Sequence, residues 1–477
     1  MPELLPILLV LTPLLGALAT LIPALRAEIR GIRAGVALLL LLFTGLLVSR
    51  IVATGGGQAL HPTVLVDALS GVTLLIVVPS GAIALLIAPA DAAISMRPHR
   101  YYALIYVAIC CLLLSCLGSN LALIWAGNAV AILPLAGLSG STGGWAAREA
   151  AARYAASALV AAAVALAGLA ILALAAREPI GGSFAALDWP TLHRQAAGLD
   201  PALTRLALVL SLGGFGTLAG LIPFQGWLAK GPLHAPRPAH TLALAGSSGV
   251  ALIALLRVYS IATRTLGQDL PAHLLLALGL ATAIAIFPAL WCARQPTEAA
   301  TLATIAGAGM AAAAIGIGGV GVPAGALLGL LGRPPALTLI ALVDSGKRSG
   351  PWARKRMGDA LLIGGLLALA SGPLSLGALG TYRSVKAAVD RNMPGAGVLL
   401  LGAIGIAAAL CQQALPRARE PCMPASHSDQ SPPEEREADG ADPPLLGPGM
   451  LVAALLILGV APPSGLLSLV TQAAALL

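Results

Sequence analysis

The chain has 477 residues, 58% of them hydrophobic and only 10% charged, with a mean hydropathy of +0.90. A water-soluble domain of this length needs far more polar surface, so soluble globular folds are excluded. The net charge of +8 is carried by Lys and Arg in short loops, where it sets membrane topology and does not suggest nucleic-acid binding.

A bilayer-spanning helix takes about 20 mainly apolar residues, and such runs follow one another from end to end. The runs do not alternate polar and apolar residues, which rules against a β-barrel. An all-α polytopic membrane protein with about 14 transmembrane helices is therefore expected. The first run starts at Met1-Pro2-Glu3 without a basic flank and reads as a retained span, not a signal peptide. Spans are expected near 2–25, 34–53, 66–90, 101–117, 119–138, 151–176 and 203–224, then near 240–263, 271–292, 300–319, 322–343, 359–380, 394–415 and 449–475. Abundant Ala and Gly suit close helix packing in lipid, and Gly213, Gly216 and Gly220 have the small-x-x-small spacing of a contact face.

Residues 177–202 form a longer loop with Trp189 and Pro190, read as a cap on the outer face. Residues 416–447 break the apolar pattern with Pro, Ser, Glu and Asp and read as a polar cytoplasmic linker. Cys110, Cys111 and Cys116 share one apolar helix, and Cys292, Cys411 and Cys422 are scattered; without C-x-x-C spacing, no metal site is expected. An even span count puts both termini on one side. Placing them outside gives inner loops holding, among others, Arg26, Arg30, Arg33, Arg97, Arg100 and Arg237, about twice the positive charge of the outer side. The outer set includes Arg50, Arg194, Arg257 and Arg264, and Arg333 alone is assigned to a span interior. Asp67, at the start of the third span with Ser70 close behind, reads as a helix cap.

The stretch from Gly214 to Leu228, GFGTLAGLIPFQGWL, is the most informative motif. It resembles the seventh-span signature G-T-K-A-G-L-x-P-x-H-x-W-L of the antiporter-like subunits of complex I, Mrp antiporters and membrane-bound hydrogenases. Further segments follow in family order. Asn120 to Gly127, NLALIWAG, resembles N-L-x-L-L-W-x-G-x-E, and Glu149 to Tyr154, EAAARY, resembles E-A-A-x-K-Y. Ala235-Pro236 with Pro238 resembles A-P-S-P, and Gly325 to Leu328, GALL, resembles G-A-L-L-H. The likeness covers roughly residues 101–380 and is nearest to the hydrogenase-4 branch.

The resemblance implies two inverted five-helix repeats, each half a channel, with broken helices in the seventh and twelfth spans. The implied division is an N-terminal three-helix segment (1–100), a first repeat (101–263), a second repeat (264–415), the polar loop (416–447) and a C-terminal helix (448–477). Pro223 and Pro373 are the expected break points. The family's channel charges are missing: its fifth-span Glu falls on Ala129, its seventh-span Lys on Leu218, its His on Gln225 and its eleventh-span Lys near Leu337. The ionisable residues left as proton-path candidates are Glu149, Arg153, Lys230, His234 and Arg333. Glu149 and Arg153 stand one helical turn apart and are placed to pair.

The implied function is a membrane-arm subunit of a redox-driven, proton-translocating complex, structural or weakly conducting because those charges are lost. Its implied partners are the other subunits and the lipid bilayer, in a bacterial-type cytoplasmic membrane. No glycine-rich nucleotide loop, cluster ligand set or nucleophile–base pair is visible, so no cofactor and no catalysis by the chain itself are expected. Two alternatives stand beside it: a competent proton or sodium transporter using the remaining charges, and a membrane anchor for an ion-coupled uptake partner.

Overall fold

Inside a bilayer every backbone N–H and C=O needs a partner within the protein, so apolar runs of this length fold as helices. The computed structural model describes residues 4–55, 57–61, 63–87, 96–180, 184–222, 236–319, 321–344, 352–372, 375–391, 393, 395–419 and 461–477. Two helices, α1 (Leu4–Leu21) and α2 (Ile29–Ala53), lead into an antiparallel ribbon of β1 (Gly57–His61) and β2 (Val64–Asp67). Helices α3 (Ala68–Leu86), α4 (Pro98–Leu117), α5 (Leu121–Ser139) and α6 (Gly144–Ala175) follow. Short helices α7 (Arg177–Ile180) and α8 (Trp189–Gln195) precede α9 (Pro201–Leu218).

The next helical stretch opens with α10 (Arg237–Thr241), passes through a π-helical segment (Leu242–Ser247) and continues as α11 (Ser248–Leu266). Helices α12 (Asp269–Trp291), α13 (Pro296–Ile317), α14 (Gly321–Leu331), α15 (Arg333–Asp344) and α16 (Trp352–Leu369) come next. The last are α17 (Leu376–Val389), α18 (Gly395–Arg419) and α19 (Ser464–Ala474).

Among the described residues, 12 helices are long and apolar enough to cross a membrane. The run at 359–380, read from the sequence as one span, is divided between α16 and α17, and part of the run at 449–475 lies outside the described residues. The polar loop 416–447 also lies outside them, apart from the residues that end α18. The helix across Ala239–Leu266 is 94% buried within the chain, whereas the span Gly395–Ala414 is only 22% buried. The former is thus the axis of the bundle and the latter its periphery. Peripheral helices α1, α2, α12 and α18 turn Leu15, Leu38, Ile284 and Leu401 outward, the apolar face that a lipid solvent requires.

Small residues set the closest helix contacts. A Cβ at Gly214 of α9 would lie 2.3 Å from the Ala165 backbone nitrogen of α6, and one at Gly279 of α12 would lie 2.4 Å from the Ala313 nitrogen of α13. The contact residue on α9 is therefore Gly214, not Gly213, whose nearest neighbour in the same test is 3.8 Å away.

The loop 177–202 is built, not slack. The ribbon, the α4–α5 turn and α8 interlock: Ser119 N–H donates to the Thr63 carbonyl (3.1 Å) and Trp189 N–H donates to the Ser119 carbonyl (2.9 Å). Isolated bridges join Val64 to Gly118 and Asn120 to Asp188. This assembly closes one end of the bundle, called below the ribbon end.

Candidate functional site

The seventh-span helix stops before Pro223 is reached. Gly220 takes φ +91°, a conformation open to glycine because it has no Cβ. Gly220 N–H then donates to the Thr217 carbonyl (3.0 Å) and Leu221 N–H to the Gly216 carbonyl (2.8 Å). This pair of bonds is the Schellman stop, which satisfies the last carbonyls of a helix. The next free donor, Ile222 N–H, is taken by Thr282 Oγ1 of α12 at 3.1 Å. The motif glycine thus ends α9, and a threonine on a neighbouring helix pays for the break. Pro223 itself, with Gln225, Lys230 and His234, lies outside the described residues.

A matching stop ends α16. Gly372 N–H donates to the Leu367 carbonyl (2.8 Å), and Ser371 adopts φ +55°. Among the described residues it is the one non-glycine with positive φ, a strain costing on the order of 1–3 kcal/mol. Helix resumes at Leu376, where Ser375 Oγ caps Ala378 N–H at 3.0 Å. Pro373 lies outside the described residues.

The three described residues that the sequence resemblance aligned with channel charges are buried. Ala129 is 9%, Leu218 3% and Leu337 3% exposed. Beside Ala129, Asn128 accepts a hydrogen bond from Ser247 Oγ (3.2 Å), while its amide nitrogen is buried without a partner. Ser247 ends the π-helical segment, a distortion that recurs at functional positions in helices.

Among the described residues, the ionisable candidates Glu149 and Arg153 do not line the cavity that Arg333 borders. Glu149 and Arg153 pair at 3.3 Å on α6, with side chains 46% and 68% exposed. Arg333 lies far along the chain, at the first position of α15, just after a turn at Gly332. It faces a cavity of about 90 Å³ in the second half, lined also by Gly307, Met310, Ser371, Gly377 and Thr381. That volume accommodates several water molecules.

Sequence reading missed three buried polar sites. The first is Arg257, assigned above to an outer loop. It lies in α11, and its guanidinium makes two charge-assisted bonds to Asp67, Nη1 to Oδ2 at 2.9 Å and Nη2 to Oδ1 at 2.8 Å. Arg257 also donates to Ser70 Oγ (3.1 Å) and stacks over the Trp189 ring, 4.7 Å from its centroid. Asp67 caps α3 through Ser70 N–H at 2.7 Å, so the cap read from the sequence is real and carries a second duty. The second site is His240, buried on α10 and hydrogen-bonded to Thr301 of α13 at 3.1 Å. The third is Arg33, also assigned to a loop. It is buried in α2, bonds the Tyr102 hydroxyl and stacks on its ring with 4.3 Å to the centroid. A short-range pattern marks none of these partners, which are separated by 190, 61 and 69 residues respectively.

His193 of α8 stacks on Trp189, with centroids 4.7 Å apart, and its Nδ1 is buried without a partner. Burial first, and then the nearby positive charges of Arg264 and Arg257, push its pKa down from 6.5 to about 4, against an opposing pull from Asp67. A histidine held neutral in the fold and freer to protonate when unfolded stabilises fully above its unfolded pKa. That stabilisation falls as pH drops from 6.5 towards about 4. The thermal midpoint of the wild type should therefore decline across this window, and His193→Phe should flatten the decline. An equal slope in the variant would assign the acid sensitivity to other groups.

No protein-family model matches the chain. It is 31% identical over 146 residues to the Hydrogenase-4 component F homologue of Methylacidiphilum infernorum (isolate V4), a match spanning 31% of this chain and 31% of that relative. Solved structures match almost end to end. A chain of the Mrp complex from Dietzia sp. DQ12-45-1b superposes with a TM-score of 0.80 at 17% identity, covering 99% of this chain and 97% of that one. The chain has the antiporter-like subunit fold. A chain of the membrane-bound sulfane sulfur reductase, an archaeal respiratory membrane complex, also superposes at 0.80 with 17% identity, covering 99% and 97%. One from respiratory complex I of Thermus thermophilus gives 0.74 with 20% identity, covering 100% and 99%. The antiporter-like fold accounts for the many apolar helices.

Proposed function

We propose that the chain is a membrane-arm subunit of a redox-driven ion-translocating complex of the hydrogenase-4 or complex I type, retained for its scaffold and contributing little or no proton transport. One observation supports this reading: both helix stops are built, while Ala129, Leu218 and Leu337, which the resemblance aligns with channel charges, are buried apolar groups. A proton relay needs titratable groups or ordered water along its length, and an apolar lining favours dewetting. Arg333, at the second-half cavity, is a guanidinium with donors only and no acceptor to receive a relayed proton. The Glu149–Arg153 pair is exposed and off this route.

The test is proton flux in vesicles holding the intact complex, with Glu149, Arg153, Lys230 and His234 each replaced by Ala. The expected proton-to-electron ratio is unchanged in all four. Loss of flux in one variant, with assembly and electron transfer preserved, would overturn the reading. Restoring one charge, as in Ala129→Glu or Leu218→Lys, should lower the yield of folded protein, because an unpaired buried charge costs several kcal/mol.

The runner-up, a conducting subunit, is favoured by His240, a buried titratable group that joins α10 to α13. His240→Phe tests it separately: a fall in flux with assembly intact supports that alternative.

A further inference from the structure

The second-half cavity is lined by a guanidinium with no carboxylate partner among the described residues. Arg333 lines it, and a Cβ at Gly307 would lie 3.1 Å from its Nη2. Among the described residues no carboxylate lies within 4.0 Å of this guanidinium. Arg257, by contrast, has its carboxylate in Asp67. A guanidinium deep in a membrane protein without a counter-charge costs several kcal/mol.

Three further features point the same way. Arg333 is the first residue of α15, and α17 begins at Leu376 with Gly377 on the cavity wall. One helix N-terminus, that of α17, with its positive partial charge, therefore borders this space; the α15 start adds little, since Pro334 and Pro335 have no N–H. Thr381 Oγ1 and Ser371 Oγ share one hydrogen bond at 3.1 Å, which uses one of their two hydroxyl protons and leaves the other available to a ligand. The remaining wall is mostly glycine, alanine and aliphatic carbon, which screens charge weakly. A guanidinium, one helix N-terminus and a spare hydroxyl proton make a site for negative charge, and a volume of about 90 Å³ suits a small ion with a little water.

We propose that this cavity binds a small monovalent anion of chloride size against Arg333 and the Ser371–Thr381 hydroxyl pair. The anion neutralises the guanidinium and stabilises the junction of α13, α15, α16 and α17. The inference concerns binding alone and holds whether or not the subunit conducts protons.

The experiment measures radioactive chloride bound to the purified full chain at constant ionic strength. Saturable binding, displaced by bromide and not by the larger gluconate, is the expected result. Arg333→Gln should weaken it about tenfold or more, and Gly307→Val, which fills the wall and leaves Arg333 in place, should weaken it likewise. Chloride should also raise the thermal midpoint of the wild type more than that of Arg333→Gln. No saturable binding by the wild type overturns the proposal, as does equal binding by both variants. Since the wild-type displacement decides the first point, a misfolded variant does not rescue the idea.

Discussion

Arg257→Met alone should sharply reduce the yield and thermal midpoint of the folded protein. The Asp67–Arg257 pair is nearly dry, with side-chain exposures of 7% and 3%. Removing one partner of such a pair strands the other charge in a low-dielectric interior, at a cost of about 3–5 kcal/mol. Arg257→Met also removes the stacking over Trp189 that helps pin α8 to the bundle. Asp67→Asn should be harmful for the mirror-image reason, although its side-chain oxygen still accepts from Ser70 N–H and keeps the cap of α3. The double variant Asp67→Asn with Arg257→Met leaves no buried charge, so it should recover much of the loss. Midpoints of the four proteins in nanodiscs complete a double-mutant cycle. If the two single effects simply add, the pair is not a unit and the ribbon end is held by its backbone bonds and apolar contacts without it.

The residues in that cycle also mark the boundary of what the sequence reveals. Hydropathy identifies spans because the bilayer forces about 20 apolar residues into each, and α1 to α6 fall where the runs lie. The stop in the seventh span was marked by its glycine and proline, and the structure assigns it to Gly220 because positive φ there completes both Schellman bonds. Arg257 was misplaced for an equally physical reason. A window average treats any arginine near the end of an apolar run as a loop charge, and the Asp67 that neutralises it is 190 residues away. Arg33 was misread in the same way, since its partner is a tyrosine ring and not a carboxylate. His240 follows a proline-rich stretch that reads as a loop, yet it opens the most buried helix in the bundle. The cavity beside Arg333 is least legible of all, because it is bordered by six helices and lined mainly by small residues that look like ordinary packing.

Gly214→Val should prevent stable folding, while Gly213→Ala should be tolerated. The two glycines are adjacent on α9 and identical in composition, so any difference comes from their faces. At Gly214 a new Cβ would sit 2.3 Å from the Ala165 nitrogen and 2.5 Å from its Cα. Both atoms are backbone and cannot rotate away, so α6 and α9 must separate. They are also locked one turn earlier, where a Cβ at Gly168 would meet Ser211 Oγ at 2.7 Å. Even a single added methyl in such a contact costs about 1–3 kcal/mol, and the two further methyls of valine raise that. In lipid, helices associate through close packing of this kind, because lipid tails are as apolar as the side chains they replace. At Gly213 the nearest atom is Val164 Cγ1 at 3.8 Å, an ordinary contact. There alanine should be neutral or gain up to about 1 kcal/mol of helix propensity. Size-exclusion profiles and thermal midpoints of Gly213→Ala, Gly214→Ala and Gly214→Val compare the two faces directly. A graded loss along the Gly214 series with an unaffected Gly213 variant is the expected pattern. Equal tolerance at both positions would show that α6 and α9 are not in backbone contact, and would remove the packing that holds α9, with its stop at Gly220, in place.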